Sequence, residues 1–474
     1  MPLHDWTRVP PGLFHHFTRH TLVFFAVALL PSLGAIHAAE APKPNVVIVH
    51  SHDFGQYLHC YGVKTVRTPN LDKFAEQGVR FARSFCTNPG CSPARASLFT
   101  GRFPHSNGVM GLTHGNFGWD LNPNEKHLGQ LLKDAGYETV GIGQIHETRS
   151  GPQRCGYMKY IDQSRATEGT TAAIAELKRL AGKGRPFFLC AGFIDTHRPY
   201  AQSEPDSSLG VNVPGFLRDT PGTRKELAEL QGAMLHLDEQ IGRLMQTIRE
   251  LGLESSTLVI VTTDHGIAMP RAKCCVHDPG LQVALLLRYA GRKGWHGGIV
   301  RNEMVSNIDV LPSILELAGI SIPANVQGRS FAPLLDGRAY TPNQEIFGEL
   351  TYHDYYDPER SIRTETHKLI ANFSSAPGFM DPTQQWRHES EAAEDPEAVR
   401  HPYLEFYDLT TDPWELHNLA DSSQHAPLRD KLAHRLYQHM VETDDPLLRG
   451  AVTSPQHEKT MKMLQGDSGG GKAP

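Results

Sequence analysis

The sequence predicts an α/β fold: a mostly parallel sheet wound by helices on both faces, followed by a smaller α+β region. Three observations carry this. First, apolar β-branched runs such as "NVVIVH" and "STLVIVTTDHG" are continuous rather than alternating, as strands covered on both faces require. Second, these runs alternate with stretches of helical spacing, the pattern of parallel crossover units. Third, the character changes after about Leu335, where short strand-and-turn segments replace that alternation.

The elements follow in order. "NVVIVH" from Asn45 reads as the first strand and ends in "SHDFG". "TPNLDKFAEQGVRF" reads as a capped helix leading into a short strand. "NEKHLGQLLKDAGYETVGIGQIHE" is helix, glycine stop, strand and polar end. "RPFFLCAGFIDTHRPY" is a strand running into a polar loop. "TRKELAELQGAMLHLDEQIGRLMQTIREL" keeps helical apolar spacing throughout, and "STLVIVTTDHG" is a further buried strand. In the last third, "SIRTETHKLIANF" and "HPYLEFYDLTTDPWELHNLA" predict antiparallel strands and turns, and "APLRDKLAHRLYQHMVE" one amphipathic helix.

The chain has 474 residues, more than one ordinary core takes up. The organisation predicted is a leader over 1–40, a large α/β region over 41–338, an α+β region over 339–450 and a partly disordered tail over 451–474. In the leader, basic residues precede "TLVFFAVALLPSLGAIHA", a short apolar run ending in small residues. That is the pattern of a secretory signal peptide rather than a membrane anchor, so a secreted or periplasmic protein is expected. The net charge of −6 argues against a general nucleic-acid binder. Seven cysteines, an odd number with no CxxC pair, fit neither a disulfide scaffold nor a zinc knuckle.

Polar residues collect where strands end: His52 with Asp53, Gln144 with His146, Asp195 with His197, and Asp264 with His265. In open α/β sheets the carboxyl ends of strands line the ligand crevice. Residues far apart in sequence are therefore expected to converge on one site.

The stretch "NPGCSPARASLFTGR" places Cys91 between Gly90 and Pro93, with Arg95 four residues on. C-x-P-x-R followed by A-S-L-x-T-G-R resembles the signature of the sulfatases. "VVIVHSHDFG", "TTDHG" and "EFYDLTTDPWELHNLA" are similar to further motifs of that family, so the resemblance covers nearly the whole chain after the leader. Within it, "FIDTHRPY", "RAK" and "VETDDP" look most like the sulfamidase, or heparan N-sulfatase, branch.

The resemblance implies an alkaline-phosphatase-like fold and a hydrolase of sulfate esters or N-sulfates. It implies that Cys91 is oxidised by a formylglycine-generating enzyme and that one hydroxyl of the hydrated aldehyde attacks sulfur. Removal of the second hydroxyl's proton then expels sulfate and restores the aldehyde. His146 would be the base, His197 the acid at the leaving group, Lys273 a sulfate-binding residue that assists departure, and Arg95 a permanent cation for the modified side chain. Imidazole suits both proton transfers because it titrates near neutrality.

Asp53, Asp264 and His265, with position 91, map onto the family's metal ligands, and His52 stands where the family usually has aspartate. Carboxylates favour calcium, while the extra imidazole admits manganese or zinc. Gln144 replaces a usual sulfate-binding lysine, keeping a hydrogen bond but no charge. The implied substrate is a sulfated carbohydrate, with N-sulfated glucosamine of heparan type favoured. Two alternatives stay open: a phosphonate monoester or phosphodiester hydrolase on the same scaffold, and an inactive sulfated-glycan binding protein.

Overall fold

The computed structural model describes residues 43–200, 202–376 and 400–466. The leader and the last eight residues lie outside them. Fourteen strands appear among the described residues: β1 Asn45–Ser51, β2 Val79–Phe81, β3 Ser84–Phe85, β4 Glu138–Gly143, β5 Lys159–Ile161, β6 Phe187–Phe193, β7 Thr257–Thr263, β8 Leu285–Arg288, β9 Ile299–Arg301, β10 Val305–Ser306, β11 Glu345–Tyr352, β12 Tyr356–Thr364, β13 His367–Asn372 and β14 Leu404–Asp408.

Eight of them form the main sheet, in the order β5-β4-β6-β1-β7-β8-β2-β9. β5, β4, β6, β1 and β7 run parallel to one another. β8 is antiparallel to both β7 and β2, so the sheet is mixed. Alternation along β1 explains its unbroken apolar run: Val47 and Val49 enter the core on one face, Val46 and Ile48 the core on the other. The long helix Pro221–Glu250 supplies Leu227, Leu230, Leu237, Ile241 and Leu244 to the first core. The helix Val310–Leu317 supplies Val310, Leu311, Ile314 and Leu315 to the second.

β11–β14 make a four-stranded antiparallel sheet. One face carries Ile362, Leu369 and Phe406 against Leu432 and Leu436 of the helix Ala426–Glu442. The other carries Ile346, Leu350 and Ile370 against Phe85, Ala94 and Val276 of the α/β region. The helix matches the sequence expectation at both ends. A further helix, Pro455–Leu464, stands where only a tail was expected. None of its residues is buried, so it left no apolar periodicity to read. Among the described residues no helix is long and apolar enough to cross a membrane.

Candidate active site

β4, β6, β1 and β7 are neighbours and parallel, so their carboxyl ends lie side by side. Each is followed by one of the polar clusters read from the sequence. Residues from all four clusters meet. The residue left out is Asp195, whose Oδ2 accepts from the Ala166 amide at 2.7 Å and so caps the helix Ala166–Ala181.

Cys91 is the first residue of a helix buried along its full length, Cys91–Thr100. Gly90 precedes it because a β-carbon there would meet Asn88 Oδ1 at 3.0 Å and the His353 ring at 3.2 Å. Gly101 ends it at φ 68°, where a β-carbon would press on Val326 at 2.9 Å; glycine takes that left-handed conformation without steric cost. The Cys91 thiol is thus fixed at a helix N-terminus, which favours negative charge. All seven cysteines are free of disulfides.

Ligand atoms of His52, Asp53, Cys91 and Asp264 lie within 4.8 Å of one another, and all four residues are buried. His52 Nδ1 is 2.8 Å from Asp264 Oδ2. His265 Nε2 borders the group, 3.3 Å from Cys91 Sγ and 3.2 Å from Asp53 Oδ1. Its Nδ1 lies 3.0 Å from the Gly266 carbonyl, a partner that only a protonated Nδ1 serves. Nε2 is thereby left bare toward the cluster. Asp264 Oδ1 accepts from the amides of Asp53, at 3.0 Å, and His265, at 2.9 Å. Burial would raise both carboxyl pKa values, but neighbouring cations outweigh it. Lys273 leads at Asp53, and His265 with His52 at Asp264, so both are held below the usual range.

The residues fit a divalent cation. His52 Nε2 is buried with no hydrogen-bond partner among the described residues, and Asp53 Oδ1 and Asp264 Oδ2 are buried against imidazole nitrogens without forming well-aligned hydrogen bonds. Two carboxylates so close together are costly unless a cation compensates them.

Lys273 Nζ donates to Asp53 Oδ2 at 2.9 Å and lies 3.2 Å from His197 Nε2. The Lys273 ammonium, with burial, pulls His197 down to about 4. The loop bearing Lys273 is tied to the turn before Cys91, because the Cys274 amide donates to the Pro89 carbonyl at 2.9 Å.

Arg95 is held by three partners at the sheet edge. Its Nε donates to Glu147 Oε2 at 3.1 Å, one terminal nitrogen lies 2.7 Å from His50 Nδ1, and the other donates to the Gln144 carbonyl at 2.8 Å. It braces the helix against the ends of β1 and β4. His50, Glu147 and His114 are the site neighbours that sequence reasoning missed. Glu147 directly follows His146 in "QIHE", and His50 sits inside an apolar strand; a charged or titratable residue among buried positions was the available signal. His114 hydrogen-bonds His146 through their ring nitrogens. Burial, with the nearby His52, His114 and Arg95, lowers His146 well below its ordinary value.

Above the cluster opens a cavity of about 560 Å3 lined by His52, His114, Gln144, His146, Arg149 and His197 among others. Every site residue expected from the sequence lies in this cavity, in the cluster beneath it, or in contact with one of them.

A mixed eight-stranded sheet with this cluster at its carboxyl edge defines the class: an alkaline-phosphatase-like α/β protein. The sulfatase family model matches residues 44–320, and the model of the N-sulphoglucosamine sulphohydrolase C-terminal region matches 270–388. The chain belongs to the sulfatase family, hydrolases that release sulfate.

N-sulphoglucosamine sulphohydrolase of Homo sapiens is 29% identical, over 88% of this chain and 93% of its own length. N-acetylglucosamine-6-O-sulfatase of Bacteroides thetaiotaomicron is 22% identical, over 90% and 91%. A solved structure in complex with D-glucosamine-2-N,6-O-disulfate superposes with a TM-score of 0.66 at 18% identity, over 85% of this chain and 98% of that one.

Proposed function

We propose that the protein is a formylglycine-dependent sulfatase acting on sulfated glycosaminoglycan units, with N-sulfated glucosamine as the first substrate. The observation that carries this is the placement of Cys91. Its sulfur stands at a helix start, 3.3 Å from His265 Nε2 and inside the His52, Asp53 and Asp264 cluster. The human relative and the glucosamine disulfate complex support the sugar. Export of the mature chain, which the leader implies, would bring it to such polymers.

Oxidised to formylglycine, position 91 supplies a hydrated aldehyde as nucleophile, and a divalent cation held by His52, Asp53, Asp264 and His265 supplies positive charge for sulfate oxygens. Calcium is the ion proposed, with manganese or zinc admitted by the two imidazoles. His146, neutral at pH 7 because of its lowered pKa, is ready to accept a proton as the base. Lys273 and His197 stand together as the leaving-group side of the site, the lysine holding the proton. Gln144 offers a hydrogen-bond donor without charge on the cavity wall, and Arg95 keeps the helix and the His146 loop in register.

The test compares sulfate release from N-sulfated glucosamine, 6-O-sulfated N-acetylglucosamine and a sulfated galactose at equal concentration, with an aryl phosphonate in parallel. Release from the N-sulfated sugar foremost supports the reading. Release only from O-sulfated sugars removes the N-sulfatase assignment and keeps the sulfatase. Turnover of the phosphonate alone removes both.

A further inference from the structure

A second cluster of metal-binding character lies outside the active site, between the C-terminal sheet and the α/β region. Asp357 and Glu359 are two apart on β12 and so point to the same face. That face meets the segment three residues beyond Lys273, since the Val276 amide donates to Glu359 Oε2 at 3.4 Å. His401 completes the group, its Nε2 3.4 Å from Asp357 Oδ2 and 3.3 Å from Glu359 Oε1. One ligand atom from each of the three lies within 4.8 Å of the others, and all three residues are buried.

We infer that Asp357, Glu359 and His401 form a structural site for a divalent cation, zinc by its donor set, which ties β12 to the segment leading into β14 where the C-terminal sheet meets the α/β region.

Four observations point this way. Glu359 is 0% exposed, and among the described residues its Oε1 meets the His401 ring at 3.3 Å without forming a well-aligned hydrogen bond. Among those residues no lysine or arginine pairs with Asp357 or Glu359; His401 is the partner of both. A carboxylate buried in this way is costly without a compensating cation. The third observation is preorganisation. The His401 amide donates to the Ala376 carbonyl at 3.2 Å, the Phe373 amide to the Pro358 carbonyl at 2.9 Å, and Ser374 Oγ to Asp357 Oδ1 at 3.0 Å. The ligands are therefore held before any ion arrives.

The fourth is the outer sphere. His401 Nδ1 faces Glu405 Oε1 at 3.9 Å, and that oxygen is itself held by Asn372 Nδ2 at 2.8 Å. A carboxylate behind the ring nitrogen opposite the metal is the usual orienting partner of a ligating histidine. Two oxygens and one imidazole nitrogen suit zinc, with water as a fourth ligand.

The experiment uses the full chain carrying Asp53→Asn and Asp264→Asn, which disables the active-site cluster and separates this inference from the proposed function. After treatment with EDTA, zinc chloride is titrated against a chromophoric chelator and Tm is recorded with and without zinc. One equivalent of zinc should bind and raise Tm. Adding Glu359→Gln or His401→Gln should weaken binding by more than about 100-fold, beyond what loss of an outer-sphere partner costs. The inference is overturned if the double variant binds no zinc and its Tm ignores the metal, or if zinc binds as tightly after Glu359→Gln and His401→Gln. Should a glutamine variant unfold, the zinc stoichiometry and Tm shift of the double variant alone decide between these outcomes.

Discussion

Arg95 Nε lies 3.1 Å from Glu147 Oε2, and that same oxygen accepts from the His146 amide at 2.8 Å. One carboxylate thus sets the cation that braces the Cys91 helix and the backbone of the proposed base. Arg95 and Glu147 are almost wholly buried, so neither charge has water to fall back on. Glu147→Gln should lower sulfate release by about 10- to 100-fold, as loss of an orienting partner does, with the metal content unchanged. Glu147→Ala leaves a buried guanidinium short of its counter-charge and should cost about 3–5 kcal/mol in chemical denaturation. Wild-type rates in Glu147→Gln would remove the positioning role.

Cys91 supplies the second prediction. Made with a formylglycine-generating enzyme present, the peptide spanning Cys91 should react with an aldehyde probe in proportion to activity. Cys91→Ala should abolish sulfate release while leaving Tm close to wild type, because only one small side chain is lost at a helix start. A fully active preparation in which position 91 is entirely thiol would refute the nucleophile.

The metal cluster gives the third. Asp264→Asn keeps the oxygen that accepts the Asp53 and His265 amides but removes the charge. It should reduce metal affinity by more than about 100-fold, and activity with it, while the Tm of metal-free protein holds or rises. His52→Ala should cost less than Asp53→Asn, since it removes a neutral donor. Elemental analysis alongside the assay separates lost metal from lost chemistry, and normal metal content in Asp264→Asn counts against this cluster.

Much of this site was legible in the sequence because parallel strands put their carboxyl ends together. Once "NVVIVHSHD", "GIGQIHE", "FIDTHRP" and "VTTDHG" are strands of one sheet, His52, Asp53, His146, His197, Asp264 and His265 have little choice but to gather. Lys273 and Arg95 came from motif resemblance, since no periodicity marks a loop lysine or a helical arginine. What stayed hidden depends on long-range pairing. The reversal of β8 rests on tertiary packing, as do the Arg95 contacts to His50 and Glu147. The side chain of Asp195 turns to the Ala166 amide because a helix begins beside it, which the tetrapeptide "DTHR" does not announce. The helix Pro455–Leu464 was missed because, with no buried residue, nothing imposes an apolar stripe on its sequence.

A fourth prediction concerns stability at the opposite edge of the sheet. Glu138 opens β4, the strand whose far end leads to Gln144, and it accepts from Arg179, Lys183 and Arg185. Burial opposes its ionised form, but the three basic donors win and pull the carboxyl from 4.5 to about 2. A carboxyl depressed on folding stabilises the protein above its unfolded value and loses that effect as pH falls through its folded value. The Tm difference between wild type and Glu138→Gln should therefore be largest near pH 7 and shrink steadily from about pH 4.5 toward pH 2. Sulfate release should be unaffected, because Glu138 sits a strand's length from the cavity. A Tm difference that grows on acidification contradicts the assignment.

The last prediction asks which group protonates the leaving atom. Only a protonated His197 Nδ1 serves the Arg198 carbonyl 2.7 Å away, so Nε2 carries the lone pair that faces Lys273 Nζ at 3.2 Å. With the imidazole pulled down to about 4, chiefly by the Lys273 ammonium and then by burial, histidine is neutral at pH 7 and the proton of the pair resides on lysine. Lysine then acts as the acid, directly or through His197 Nε2, and Asp53 Oδ2 holds the ammonium in place at 2.9 Å. General acid catalysis is worth about 10²–10⁴-fold when the leaving group is basic, as the nitrogen of an N-sulfated sugar is, and little when it departs as a stable anion. Lys273→Met should therefore lower kcat/KM by about 10²–10⁴-fold on N-sulfated glucosamine but far less on 4-nitrophenyl sulfate, with metal content intact. His197→Gln should show the same contrast between substrates. Equal losses on both substrates would mean that Lys273 serves sulfate binding or the placement of Asp53, because those roles do not depend on the leaving group's need for a proton.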